Sequence, residues 1–156
     1  MSAQATPAAL VEAERAAWIT LHTALLLEET ALVEGEVDNL DDIEASKETS
    51  LRALAERVRA RVARLNAAGL ANDRTGVERW LADADEATRT QWADIVRLEA
   101  ETRAINQRNG GMIEQRMNLT RQALNVLLGA AAARGNLYDQ NGQNRIPDGG
   151  RTINAA

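Results

Sequence analysis

Leu98, Ile105, Met112, Leu119 and Val126 recur at strict seven-residue intervals, with no Pro between them. A seven-residue repeat keeps returning to one face of an α-helix, so this stretch is constrained to a long amphipathic helix. From Met112 onward a second apolar row joins the first, made of Ile113, Met117, Leu124, Leu127 and Leu128. Two such rows widen a seam into a broad apolar surface. A hairpin partner within the chain needs only the first row; the second asks for another helix.

The remainder of the sequence supports an all-α chain. Pro occurs only at positions 7 and 147, Phe and Cys are absent, and strand-like alternation is missing. The 156 residues suit one domain with a substantial core. A first helix is expected from about Ala8 to Glu34, with Val11, Trp18, Leu25 and Leu32 at heptad spacing, Leu21 between them, and Gly35 as its stop. Asp38 or Asn39 can cap a second helix, which carries Leu40, Ile43, Lys47, Leu51, Leu54, Val58 and Leu65 and ends near Gly69. So short a connection makes the two an antiparallel hairpin.

Residues 71–76 read as a turn. Val77, Trp80, Leu81 and Ala84 then form either a short helix or the first turns of a long third one, which runs to about Arg134. At 1.5 Å per residue the third helix spans about 72 Å against about 40 Å for each of the others. Roughly Met112 to Ala133 should therefore extend past the hairpin. After Gly135 the chain is rich in Asn, Gly, Gln and Asp, which reads as a flexible tail. The expected organisation is a flexible N-terminus over 1–7, a three-helix, coiled-coil-like bundle over 8–134 and the tail over 135–156.

Net charge is −5 and unevenly placed. Eleven acids stand between Ala8 and Leu51 against Arg15 and Lys47, whereas Arg52, Arg57, Arg59, Arg61 and Arg64 face only Glu56. In an antiparallel hairpin Arg57 to Arg64 come near Glu12 and Glu14, so the basic cluster is expected to pair between helices. A nucleic-acid surface would need interleaved aromatics and a basic balance, and neither is present. No apolar run approaches the roughly 20 residues of a membrane span, and the first residues lack the pattern of a secretory signal. The expectation is a cytoplasmic protein without membrane insertion.

Catalytic and metal-binding constellations are missing from the pattern. Inward-facing di-iron sites use Glu-x-x-His pairs, but the one histidine, His22, has Ile at position 19. It is expected at the edge of the core beside Leu21. Without Cys there is neither thiol chemistry nor a thiolate metal site, and Gly110-Gly111 lacks the Gly-Lys-Ser/Thr ending of a phosphate loop. A non-enzymatic chain without cofactor or metal is the expectation. The two glycines each cost a helix roughly 1 kcal/mol relative to Ala. They either admit a kink or let another backbone come close. Asn109, on the core seam, either fixes register within the bundle or, with Asn106, meets an incoming segment.

Several of these elements occur together in an order already known. Asp38-x-Leu40-x-x-Ile43-x-x-x-Lys47 opens the second helix; Ile105-Asn106-x-x-Asn109-Gly110, with Ile113 behind it, lies in the third; Leu137-Tyr138-Asp139-x-x-Gly142-Gln143 follows. Over about Leu10 to Gln143 the chain resembles the FlgN family of flagellar export chaperones, from which Gly111 and the polar tail after Gln143 are local departures. The resemblance implies a non-catalytic chaperone for type III export. Such a chaperone holds a terminal helical segment of the hook-associated proteins, prevents premature assembly and hands the cargo to the export gate, with its ATPase complex as a further partner. It also implies a cargo surface at Asn106, Asn109, Met112, Ile113, Met117, Thr120, Leu124, Leu127 and Leu128, and gate docking at Tyr138.

The residues themselves lead to a compatible place, because a broad apolar helix face suits recognition of an amphipathic partner helix. Two other outcomes satisfy the same surplus. The second row is ordinary core if the third helix packs between the first two. Alternatively, the chain is a self-associating coiled-coil scaffold, a homodimer when free, through residues 112 to 133.

Overall fold

The computed structural model describes residues 4–142, and within them the chain is entirely helical apart from its turns. Four α-helices follow one another: α1 (Pro7–Glu34), α2 (Leu40–Ala67), α3 (Arg74–Trp80) and α4 (Glu86–Gly142). The all-α architecture expected from the heptads is therefore present, with α3 as a separate short helix. Two compact units divide the chain, Met1–Ile113 and Glu114–Ala156.

Local chemistry sets the helix ends. Thr6 accepts the Ala9 N–H at 3.2 Å with Pro7 at the first helical position, and Gly35 closes α1 in the left-handed region at φ 74°. Asn39 takes the position before α2 but makes no side-chain cap, because a 3₁₀ turn over Val37–Asn39 leads straight into the helix. Asp73 starts α3 by accepting the Gly76 N–H at 2.7 Å, and Asp85 starts α4 by accepting the Thr88 N–H at 2.8 Å. Those two aspartates divide what the apolar pattern alone leaves as one continuous stretch. Gly135 does not end α4, which continues to Gly142. One glycine costs about 1 kcal/mol, too little to stop a helix that meets no Pro before position 147. Residues 143–156 of the expected tail lie outside the described residues.

In the first unit α1 is the central element. Val11, Leu65, Val77, Leu81 and Ile95 form one buried cluster, against which Trp18, Trp80 and Trp92 pack. Leu21, Leu25, Leu54 and Ile105 form a second. Leu51, placed on the α2 seam by its spacing, is 46% exposed instead.

Ion pairs record the direction of each neighbour. Arg15 pairs with Asp94, the His22 ring approaches Glu101 and Glu29 pairs with Arg108, joining α1 to α4 at 3.0, 3.5 and 2.9 Å. The first and third are both 79 residues apart in sequence, so α1 and α4 run parallel in fixed register. Toward α2 the order reverses: Glu14 pairs with Arg61, and Glu28, further along α1, pairs with the earlier Lys47. The hairpin of α1 and α2 is antiparallel, as the short connection requires. At the α1–α4 offset, the level of Glu34 at the end of α1 is Ile113, the last residue of the first unit.

One expectation needs correcting. Among the described helices α1 is long and apolar enough, by length and composition, to cross a membrane. Counting uninterrupted apolar runs overlooks it, since Thr and Glu interrupt the run while the leucines, alanines, Ile19 and Val33 keep the mean hydropathy high. Its buried Glu14 and Glu28 are nevertheless paired with cations of α2, which is the behaviour of a bundle helix.

Candidate partner-binding surface

Two polar clamps hold the bundle whose end carries the candidate residues. In the first, Glu14 is 1% exposed and accepts two bonds from the Arg61 guanidinium, at 2.7 and 3.2 Å. The same guanidinium donates to Asn72 Oδ1 at 2.6 Å and lies 4.9 Å from the Trp92 ring centroid. A planar fork can satisfy a carboxylate while its face rests on an aromatic ring; an ammonium cannot. Arg61 therefore ties α1, α2, the connection before α3, and α4 together.

In the second clamp Glu28, 2% exposed, accepts the Lys47 ammonium at 3.3 Å on both oxygens. Asn109, 1% exposed, donates through Nδ2 to the Leu25 carbonyl at 3.0 Å and to Glu28 Oε2 at 3.2 Å. Lys47 also meets Glu44 at 3.2 Å. Burial pulls the Lys47 pKa down, but the bond with Glu44 and the charge of Glu28 outweigh it and leave the ammonium above its ordinary value. Lys47 and Asn109, far apart in sequence, thus meet on one buried carboxylate.

The nine residues of the expected cargo surface divide among different environments. Asn109 lies inside the bundle, with its amide nitrogen committed to α1. Asn106 is exposed, at the end of a depression of about 260 Å³ also lined by Leu21, Leu25, Leu51 and Leu54. A larger depression of about 830 Å³ adjoins it, sharing Trp18 and Glu99. Met112 and Ile113 are half-buried at the close of the first unit. Met117, Thr120, Leu124, Leu127 and Leu128 belong to the second unit and are all exposed.

Within the second unit every side chain from Met117 to Ala130 is exposed. Met117 at 58%, Leu124 at 52%, Leu127 at 67% and Leu128 at 59% make a run of large apolar groups, and Leu119 and Val126, on the opposite side of the helix from Met117 and Leu124, are exposed as well. The ordinary-core reading of the second row does not describe these residues. Tyr138 falls within α4, and its side chain lies outside those described. A Cβ added at Gly110 or Gly111 would have nothing within 4 Å, so neither glycine accommodates another backbone here.

Comparison with known proteins shows the family. A family model described as FlgN protein matches residues 1–146. No curated protein and no solved structure matches the chain. The match takes in the helical hairpin, both clamps and the exposed run of α4, and the chain belongs to the FlgN family of flagellar export chaperones.

Proposed function

We propose that this chain is a cytoplasmic, non-enzymatic export chaperone that captures a terminal helical segment of hook-associated proteins on α4. The capture surface runs from Met112 and Ile113 through Met117, Thr120, Leu124, Leu127 and Leu128, with Asn106 at the bundle end. Asn109 supports that surface indirectly by fixing the register of α4 on α1. Cargo held there cannot assemble prematurely and is handed to the export gate, with Tyr138 as the docking residue.

The observation that carries this reading is the exposed apolar run from Met117 to Leu128. Contiguous apolar surface of this kind marks an interaction site in a folded protein. An amphipathic cargo helix can lay its apolar face along it, each fully covered side chain contributing about 1.5–3 kcal/mol before the cost of ordering the partner. Methionines at 112 and 117 suit a surface that accepts more than one cargo, because the thioether is flexible and polarisable.

Calorimetric titration of the full chain with separated terminal segments of hook-associated proteins tests the reading. One-to-one binding that Leu124→Glu abolishes, with helical circular dichroism unchanged, is the expected result. Binding unaffected by that substitution, or unfolding caused by it, contradicts the assignment. Tyr138→Ala should leave the same titration unchanged while impairing delivery to the gate; lost cargo affinity would refute the division of labour.

A further inference from the structure

The residues of α1 are distributed against the usual rule: two of its five carboxylates, Glu14 and Glu28, are buried, while none of its exposed positions from Ala16 to Val33 carries a charge. Ala16, Ile19, Thr23, Leu26, Thr30 and Val33 are all exposed and follow one another at alternating steps of three and four. That is a second heptad seam, separate from the one α1 buries in the bundle. Thr23 and Thr30 turn their hydroxyls back onto the carbonyls of Ile19 and Leu26, at 2.9 and 3.0 Å. The one proton of each hydroxyl is thereby committed within the helix, so the seam presents no side-chain hydrogen-bond donor along its length.

We propose that this face of α1 is a homodimer interface, occupied by α1 of a second copy running antiparallel. The choice of occupant follows from the alternation of sizes. One set of seam positions is small (Ala16, Thr23, Thr30) and the other large (Ile19, Leu26, Val33). In an antiparallel pair each small position faces a large one of the partner helix, so Ala16 meets Val33, Thr23 meets Leu26 and Thr30 meets Ile19 across a two-fold axis. A parallel pair would set large against large and small against small, leaving gaps that cost packing.

The surface is therefore complementary to itself, as a closed two-fold interface requires. Leu27, 57% exposed, flanks the seam and extends it. A membrane surface is a poorer occupant, because Glu12, Glu34 and Glu36 stand exposed at the two ends where a lipid-binding helix carries Lys or Arg. Ala16 to Val33 spans about 27 Å, and an interface one helix wide over that length buries on the order of 1,000 Å² in total. Such an area stands at the low end of specific interfaces, where association is weak and reversible. The surface is on the first unit, and the inference does not depend on the cargo reading.

Sedimentation equilibrium of the full chain, from micromolar to near-millimolar, should show a monomer–dimer equilibrium that Leu26→Glu weakens at least tenfold. The side chain is 43% exposed, so helicity and melting should be unchanged. The chain has no cysteine, which allows register to be read directly. Mixed Thr23→Cys and Leu26→Cys chains should oxidise mainly to the cross-linked heteropair. A monomer throughout the concentration range overturns the proposal. So does a dimer indifferent to Leu26→Glu but lost in Leu124→Glu, which would place the contact on α4. Preferred cross-linking of Leu26→Cys to itself would overturn the antiparallel arrangement.

Discussion

Glu14 and Glu28 show how much a single side chain settles in this chain. Each is a carboxylate on the buried seam of α1, and each is tolerated because α2 brings a cation to it. Removing one partner of a buried pair leaves an uncompensated charge. Arg61→Met should therefore destabilise the protein by about 3–5 kcal/mol in denaturant titration, and the double change Glu14→Leu with Arg61→Met should recover most of the loss. No recovery would mean that Asn72 and Trp92, not Glu14, account for the effect. Lys47 is the chain's only lysine, and its raised pKa gives a pH dependence of definite sign. Its contribution is fully present below the ordinary value of 10.5 and is lost as pH rises through the folded-state value. The difference in melting temperature between the wild type and Lys47→Met should shrink above about pH 10.5; a difference that widens there contradicts the Glu28–Lys47 clamp.

At the scale of elements, most boundaries are legible in the sequence, and so is the pairing of the Arg57–Arg64 cluster with Glu14 across the α1–α2 hairpin; the burial of that pair and the α1–α4 register are not. The apolar rows place α1, α2 and the bundle half of α4, and Gly35 ends α1 where its left-handed backbone permits. The same seven-residue frame that picks out Val11, Trp18, Leu25 and Leu32 also passes through Leu21 and, between them, Glu14 and Glu28. A reading by hydropathy sends those carboxylates to the surface, because the cations that compensate them lie on another helix. Asn109 is half legible: its seam position suggests a register role, but nothing in the sequence links it to Glu28. The start of α3 is hidden for a different reason. A Cβ at Gly76 would lie 1.9 Å from the Ala71 carbonyl oxygen, a backbone approach no pattern announces. Gly76→Ala should consequently displace α3 and lower the melting temperature by several degrees, whereas Gly110→Ala with Gly111→Ala, in open space, should stabilise α4 by about 1–2 kcal/mol. Equal effects from the two changes would contradict the packing described around α3.

For the whole molecule, the division into a clamped unit and an exposed helical one separates folding from the capture we propose. The first unit spends its apolar rows and buried ion pairs on holding α1, α2, α3 and the start of α4 in register. The second presents Met117 to Leu128 uncovered, and the proposed function rests on that surface. Hydrogen–deuterium exchange of the full chain, with and without a separated terminal segment of a hook-associated protein, tests this most directly. The account predicts that cargo slows exchange from Met112 through Leu128 and leaves the amides around Glu14 and Leu54 unchanged. Slowing confined to the depressions between α2 and α4, or no slowing over Met112 to Leu128, would contradict it.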